Sequence, residues 1–409
     1  SLSAVSLAGQ VQFVLSLFIS GIAAGAGIMA AQYWGKQDAA SIEKVIPIAL
    51  RTNLLFSGLF TILAGFCPEM LMRIFTNDAA LVASGSQYLR AVALSYVLCG
   101  ISQVYLILLK NTGHAAVSSR ISSTAVVLNI ILNAILIYGL CGAPALGIRG
   151  AAYATVAARV VELIWAYLET KKPERVRILW NRLFSSAGKI LSEDFWRYTL
   201  PVLAASLVWG IAYVLYSVIM GHMGSDAVAA NSITSIAKSL LSCLIRGVSG
   251  GAGVLIGNLL GANELEKARE YGGRLSHLSI AIGIVTGGLL MLISPAIVHF
   301  APLSDTAAEY LQYMLLFCGL NLMAQSVNTT VLDGIFCAGG DAKFDMQGNI
   351  GAMWCFSVPL GFLAAFWLKL PVMVVYCIVN LDEIVKLPAV YHHYKKYIWV
   401  RNITRDVED

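Results

Sequence analysis

Long apolar segments separated by short polar ones run along the whole chain. An α-helix needs about 20 mostly apolar residues to cross a hydrocarbon core of about 30 Å. The segments that meet this requirement are near residues 8–34, 46–67, 85–109, 117–140, 148–168, 198–221, 228–259, 276–300, 308–337, 345–368 and 371–392. The pattern therefore predicts an all-α polytopic membrane protein with about eleven transmembrane helices.

One of these segments occurs twice. Residues 4–44 and 227–267 both begin with Ala-Val, carry Ser-Leu in the middle and have a run of small residues before a closing glycine. Residues 87–113 and 312–340 form a second pair, because each begins with Gln-Tyr and ends with Gly. The repeats predict two homologous helix bundles in the same order. In a membrane chain, such a duplication is typical of a transporter whose pathway lies between the two halves.

An odd number of spans does not fit a duplication. The chain begins at Ser1, only a few residues before the first apolar segment. We therefore expect the sequence to be truncated and to lack the first of twelve helices. The predicted organisation is an N-terminal lobe over 1–169, a cytoplasmic amphipathic linker over 170–196, a C-terminal lobe over 197–394 and a cytoplasmic tail over 395–409.

Composition supports a membrane protein and limits its partners. Hydrophobic residues make up 58% of the chain and charged residues 12%, whereas about a quarter of the residues in soluble proteins are charged. The net charge of +5 is too small and too scattered to indicate nucleic-acid binding. Lys and Arg are concentrated in alternate loops, which predicts a plasma-membrane protein with a cytoplasmic C-terminus. We expect a monomer whose basic linker contacts membrane lipid headgroups.

Catalytic and cofactor motifs are missing from the sequence. It contains neither H-E-x-x-H nor G-x-S-x-G, which argues against a membrane-embedded enzyme. It also has no P-loop, so ATP-driven transport is not indicated. The eight cysteines show no C-x-x-C spacing, and we predict no metal site, no disulfide and no cofactor.

Charged residues inside predicted spans are rare, and they point to function or to internal pairing. Lys238 and Arg246 are basic residues in the span near 228–259, and both should have partners. The acidic residues Asp333, Asp382 and Glu383 lie in later spans. Two alternatives remain open for these acids: they neutralise the basic residues, or one of them binds a coupling cation, Na+ or H+.

Polar and aromatic side chains in the spans are candidates for a substrate cavity. Asn129 and Asn133 are four residues apart, so they either tie helices together or face a wet cavity. Arg159 and Glu162 have a spacing that predicts a mutual ion pair. Aromatic residues of the span near 198–221 either pack in the core or line a cation-binding cavity. The cavity candidates are Gln103, Asn129, Trp209, Tyr213, Gln325, Asn328 and Trp354.

Several short motifs, taken in order, carry a family resemblance. They are Gln-Tyr-Trp-Gly at 32–35, Leu-Gly-Ile-Arg-Gly-Ala-Ala at 146–152, Cys-Ala-Gly-Gly-Asp at 337–341, Leu-Asp-Glu-Ile at 381–384 and Trp-Val-Arg-Asn at 399–402. Over essentially its whole length the chain resembles the multidrug and toxic compound extrusion (MATE) family. It is most similar to the bacterial branch close to the DNA-damage-inducible efflux proteins.

The resemblance implies twelve helices in two six-helix lobes around a central cavity. It also implies a secondary antiporter that exports cationic or amphipathic small molecules in exchange for Na+ or H+, by rocking of the two lobes. Proton-coupled relatives carry an important aspartate on the first helix, which this sequence lacks. Other relatives carry acids at the positions of Ala205 or Ser206 and of Gln325 or Ser326. Asp333 is therefore a candidate because of its depth in the span.

A flippase for a lipid-linked precursor is the alternative function. It predicts a strongly basic cavity, because the lipid-linked phosphates are anionic. Lys238 and Arg246 give this reading weak support, and the first lobe gives it none.

Overall fold

The computed structural model describes residues 2–178, 180, 183 and 188–405. Over these residues the chain is almost entirely helical, and none of them forms a β-strand. The chain divides into two compact units, the first extending to Leu203 and the second covering Ala204–Arg405. The predicted all-α fold with two helix bundles is confirmed.

The first unit is built from six helices of 14 to 34 residues and one short helix, α3, of 6 residues. Its helices are α1 (Leu2–Gly35), α2 (Ala39–Phe66), α3 (Pro68–Arg73), α4 (Ala79–Val92), α5 (Leu94–Leu109), α6 (Ala115–Tyr138) and α7 (Ile148–Thr170). Its core contains the side chains of Leu15, Leu89 and Tyr96, each at most 2% exposed.

The chain passes into the second unit within α8. The helices that follow α7 are α8 (Lys189–Gly221), α9 (Ser225–Gly261), α10 (Leu265–Phe300), α11 (Asp305–Asn328), α12 (Ala342–Asn349), α13 (Val358–Phe362), α14 (Val372–Val379) and α15 (Asp382–Tyr394). Three π-helical segments, Thr329–Phe336, Ile350–Ser357 and Leu363–Trp367, extend α11, α12 and α13. Such wider turns are frequent at functional sites.

Among the described residues, nine helical stretches are long and apolar enough to cross a membrane. One of them, Leu94–Tyr138, contains two predicted spans. The chain reverses direction at Gly113. Its backbone φ of +79° lies in the left-handed region, which glycine adopts without a steric clash. The hydroxyl of Ser118 donates to the carbonyl of Leu106 at 2.9 Å, a contact that a straight helix would not allow. The two spans therefore lie antiparallel.

The last predicted span, 371–392, is not one continuous helix. The structure divides it into α14 and α15, and residues Asn380 and Leu381 between them are not helical. Hydropathy did not show this break, because the strongly apolar residues of α14 dominate the average over the segment. The break is stabilised by side chains of another helix, which only the tertiary structure brings near.

Small residues allow close helix packing in the second unit. A Cβ atom added at Gly287 of α10 would collide with the carbonyl oxygen of Gly319 in α11. Gly283 is similarly close to the backbone of Met323 in α11. These two helices therefore approach each other along a glycine-lined face, as is common in membrane bundles.

The structure describes the predicted linker only in part and the predicted tail as far as Arg405. In the predicted linker, residues 171–178 form turns and irregular chain, residues 179, 181, 182 and 184–187 lie outside the described residues, and from Lys189 onward the chain already belongs to α8. In the tail, Trp399 is completely buried. The guanidinium of Arg401 donates to the carbonyl oxygens of Gly339 and Gly340 at 2.8 and 2.7 Å. The tail up to Arg405 thus packs as part of the second unit.

Candidate functional site

The break between α14 and α15 is held by two amide side chains of α11. Asn321 donates from Nδ2 to the carbonyl oxygen of Asn380 at 2.6 Å. Asn328, two turns further on, donates from Nδ2 to the carbonyl oxygen of Glu383 at 2.6 Å and to its Oε2 at 2.8 Å. Buried backbone groups need such partners where a helix is interrupted. The polar face of α11 therefore explains how a break persists within an apolar segment.

The break creates an N-terminus for α15, and a group of buried charged side chains lies there. Asp382 and Glu383 occupy the first turn of α15, where the helix dipole favours negative charge. Lys386, one turn later, lies 3.1 Å from Oε1 of Glu383 and 3.8 Å from Oδ2 of Asp382. All three residues are less than 10% exposed. The predicted acids Asp382 and Glu383 are thus brought together around one lysine.

Helix α12 contributes two residues that the sequence analysis missed. Lys386 donates to Oδ1 of Asn349 at 3.1 Å, and Nδ2 of Asn349 donates to Oδ1 of Asp345 at 3.1 Å. Asp345 is 6% exposed. A possible signal was the four-residue spacing of Asp345 and Asn349, which places both on one face of a helix. We call Asp345, Asn349, Asp382, Glu383 and Lys386 the acidic cluster.

The charges of the acidic cluster do not balance. It contains three carboxylates and a single ammonium, and every member is less than 10% exposed. Buried charge of one sign is unfavourable unless it is protonated or paired with a cation. Lys238 lies close enough to Asp382 and Glu383 to interact with both electrostatically, but its ammonium donates to Oδ1 of Asn321 at 3.0 Å.

The other predicted intramembrane charges lie beside the cluster. Asp333, on the first π-helical segment, is exposed and interacts electrostatically with Arg246 and Lys386. Arg246 is also exposed, and its guanidinium carbon lies 5.5 Å from the ring centre of Trp209. The expectation that Lys238 and Arg246 have partners in the protein agrees with these contacts.

Three aromatic cavity candidates lie in one region of the second unit. The rings of Trp209 and Tyr213 stack with their centres 5.6 Å apart. The indole of Trp354 donates to the carbonyl oxygen of Val208 at 3.1 Å. Tyr213 is 39% exposed, whereas both tryptophans are half-buried. Together they form an aromatic surface beside Arg246.

The amide candidates are distributed over different places. Asn328, predicted for the cavity, is 1% exposed and lies against the acidic cluster instead. Gln325 is half-buried and accepts from the hydroxyl of Ser242 at 3.4 Å. Asn129 and Gln103 are half-buried in the first unit. Nδ2 of Asn129 lies 3.4 Å from the hydroxyl of Thr155 in α7 and so ties α6 to α7.

A buried carboxylate of the first unit is paired with an arginine of the same helix. Nη1 of Arg159 lies 2.8 Å from Oε2 and 3.0 Å from Oε1 of Glu162, and the hydroxyl of Ser102 also donates to Oε1. Glu162 is 2% exposed. The predicted pairing is confirmed. Because the two charges balance and both carboxylate oxygens of Glu162 accept hydrogen bonds, the pair carries no excess charge that would attract an ion.

Side chains typical of transition-metal centres do not assemble in the part of the chain that the structure describes. No group of three or more His, Cys, Asp or Glu residues there could hold a metal ion. The chemistry available around the acidic cluster and the aromatic surface is that of carboxylates, amides, hydroxyls, the ammonium groups of Lys238 and Lys386, the guanidinium of Arg246 and aromatic faces.

Many membrane-spanning helices in two units, with a charged cluster at a broken helix, define a multi-pass membrane protein of the transporter class. The MatE family model matches residues 1–135 and 201–363, which is more than half of the chain. The chain belongs to the MatE family, as the sequence motifs predicted.

Curated relatives cover nearly the whole chain at low identity. The uncharacterized transporter YisQ of Bacillus subtilis is 21% identical over 98% of this chain and 88% of its own length. The probable multidrug resistance protein YoeA of the same organism is 22% identical over 100% of this chain and 88% of its own length. A probable multidrug resistance protein NorM of Agrobacterium fabrum is 24% identical over 89% of this chain and 79% of its own length.

Solved structures share the fold. A MOP superfamily transporter from Pyrococcus furiosus has a TM-score of 0.87 at 20% identity, over 97% of this chain and 88% of its own. An outward-facing multidrug resistance MATE family transporter has a TM-score of 0.85 at 20% identity, with the same coverage. At this level of identity, the likeness establishes the fold.

Proposed function

We propose that the protein is a secondary antiporter that exports cationic or amphipathic small molecules in exchange for Na+ or H+. Membership of the MatE family supports an export function, and relatives described as probable multidrug resistance proteins support small-molecule cargo. The single observation that supports coupling of export to Na+ or H+ is the acidic cluster. Its three carboxylates face one ammonium in a buried place, so a cation or proton is attracted to it.

The proposed coupling residues are Asp382 and Glu383 within the cluster, and Asp333 beside it. A ligand shifts a conformational equilibrium only by its difference in affinity for the two states. The cluster joins α11, α12 and α15 by hydrogen bonds, so an ion bound there acts on the relative stability of their arrangement. A cation or proton bound at the acidic cluster would in this way favour one of the two states between which the lobes rock.

The proposed substrate surface consists of aromatic and amide groups. Trp209, Tyr213 and Trp354 offer ring faces that attract organic cations. Gln325 belongs to the same unit, whereas Gln103 and Asn129 belong to the first one. Such a surface can bind small molecules of different shapes. Stacking on an aromatic ring requires a flat or apolar group and depends little on directional hydrogen bonds.

A flippase for a lipid-linked precursor is less well supported. It would need basic groups available to anionic phosphates. The ammonium of Lys238 is already hydrogen-bonded to Asn321, and the guanidinium of Arg246 lies beside Trp209 and Asp333. Both basic groups are therefore engaged by the second unit itself.

The test is transport by the full chain reconstituted in liposomes. Movement of a fluorescent organic cation is measured under a sodium gradient alone and under a pH gradient alone. We expect transport under at least one gradient, and loss of coupled transport in Asp382→Asn and Glu383→Gln. Glu264→Gln is the control, because Glu264 forms an exposed pair with Lys267. Folded protein that moves no cation under either gradient would contradict the proposal.

A further inference from the structure

We propose that the turn after α7 binds the phosphate group of an anionic phospholipid, whose acyl chains lie along the exposed face of α7. The sequence predicted only a general contact between a basic linker and lipid headgroups, whereas the structure assigns a site. The groups that hold the phosphate are the ammoniums of Lys171 and Lys172 and the guanidinium of Arg175. The site does not depend on the coupling ion or on the exported molecule.

The first observation is that the start of the linker packs against the first unit. Val176 is buried, and Ile178 packs against a cluster of apolar side chains from α5, α6 and α7 that includes Tyr105. The indole of Trp180 donates to the hydroxyl of Tyr105 at 2.8 Å. The basic residues between α7 and Trp180 are therefore held together at the end of that helix.

The second observation is an excess of positive charge around one carboxylate. Oε2 of Glu169 lies 2.9 Å from the ammonium of Lys172 and 2.6 Å from Nη1 of Arg175. The ammonium of Lys171 lies 4.5 Å from the ring centre of Tyr167. Residues 169–177 contain four basic and two acidic side chains, so the turn has a net positive charge and attracts an anion.

The third observation is a buried guanidinium with an unused donor. The side chain of Arg175 is 7% exposed. Its Nε–H group has no hydrogen-bond partner among the residues that the structure describes. A buried donor without an acceptor is destabilising, and a phosphate oxygen between Lys172 and Arg175 would supply the acceptor. Arginine suits this role, because its planar set of N–H donors matches the oxygen atoms of a phosphate.

The fourth observation is an apolar stripe on α7 that leads to this turn. Val161, Ile164 and Leu168 are exposed, and their spacing places them on one face of the helix. Lys171, the C-cap residue of α7, follows Leu168 by three positions and so continues the same face. An apolar stripe that ends at basic side chains has the polarity of a phospholipid, with room for acyl chains beside a headgroup site.

These features favour an anionic phospholipid over a free anion or a zwitterionic lipid. Lysine and arginine attract inorganic phosphate as well, but only a phospholipid also covers the apolar stripe. A choline headgroup adds a positive charge, which the net positive charge of the turn repels. Anionic lipids give the cytoplasmic leaflet its negative surface potential, and the predicted topology assigns this end of α7 to that leaflet.

The experiment measures lipid binding to the purified full chain in detergent by native mass spectrometry. Dioleoylphosphatidylglycerol is compared with dioleoylphosphatidylcholine, which has the same acyl chains and no net charge. We expect the first phosphatidylglycerol to bind at a concentration at least about fivefold lower than the first phosphatidylcholine. Equal binding of the two lipids would overturn the site. Excess inorganic phosphate should leave phosphatidylglycerol bound, and its displacement by phosphate would overturn the assignment to a lipid.

One variant and a matched control locate the lipid. Lys172→Gln should raise the half-saturating phosphatidylglycerol concentration about fivefold, the factor expected for one basic side chain near an anionic headgroup. The side chain of Lys172 is 49% exposed, so we expect the variant to fold. Lys267→Gln is the control, because Lys267 forms a pair of the same spacing with Glu264 at 3.0 Å in the second unit. Unchanged binding in Lys172→Gln, or an equal loss in Lys267→Gln, would overturn the assignment.

Discussion

The ammonium of Lys386 and the amide oxygen of Asn349 are 3.1 Å apart, although the two residues are separated by 37 positions in the sequence. This hydrogen bond joins α15 to α12, and Asn349 in turn donates to Asp345. One lysine therefore connects the acids of two helices, and the acidic cluster depends on it.

Replacing Lys386 by Met should strongly destabilise the second unit. The change removes the single ammonium that contacts Asp382 and Glu383, and loss of one partner of a buried pair costs about 3–5 kcal/mol. The double variant Lys386→Met/Glu383→Gln should recover part of this loss, because it removes one of the uncompensated charges. Thermal unfolding in detergent measures both effects. Lys267→Met is the exposed control, and an equal loss of stability there would contradict the expectation.

Asn321→Leu should loosen the broken helix. The substitution leaves the carbonyl of Asn380 and the ammonium of Lys238 without their partner on α11, which costs at most about 1–3 kcal/mol for each of these part-buried groups. Hydrogen exchange should become faster at residues 378–384 and remain unchanged in α6. Unchanged protection at the break would show that Asn321 does not stabilise it.

Gly287→Ala should destabilise the packing of α10 against α11. The added methyl group would collide with the backbone oxygen of Gly319, and overpacking of this kind costs about 1–3 kcal/mol. Gly288→Ala is the matched control, since a Cβ atom at Gly288 meets no atom within 4 Å. It should be neutral, or stabilising by up to about 1 kcal/mol, because alanine favours a helix. Similar unfolding temperatures for the two variants would contradict the prediction that close packing at Gly287 excludes a methyl group.

Arg401→Met should release the tail from the turn at Gly339 and Gly340. Its guanidinium makes two hydrogen bonds there. Arg401→Lys should restore little of this attachment, because an ammonium lacks the planar, two-pronged donor geometry that reaches both carbonyl oxygens. We expect faster tryptic cleavage after Lys395 and Lys396 in both variants. Arg274→Met, which removes an exposed pair with Glu270, should cleave like the original chain. Resistance of Arg401→Met to cleavage would mean that Trp399 anchors the tail without it.

Local sequence patterns predicted some of the site and missed the rest. Arg159 and Glu162 were predictable as a pair, because a spacing of three places them on one helix face. Asp382 and Glu383 could be selected because acids in an apolar segment are rare. Asp345 was missed, since it stands near the start of its span, where a charged residue usually contacts water. Asn328 was assigned to a cavity, because sequence does not indicate the direction of its amide.

The sequence by itself determined the helical, membrane-spanning class, the duplication and the family. These features depend on local hydropathy, on repeated order and on short motifs, all of which are properties of residues near each other in the chain. The tertiary structure alone decided that the last span is broken and that Asp345 and Lys386 belong to one cluster. Hydrogen bonds across 37 to 59 positions hold that arrangement, and a contact over such a separation leaves no periodic trace in the sequence.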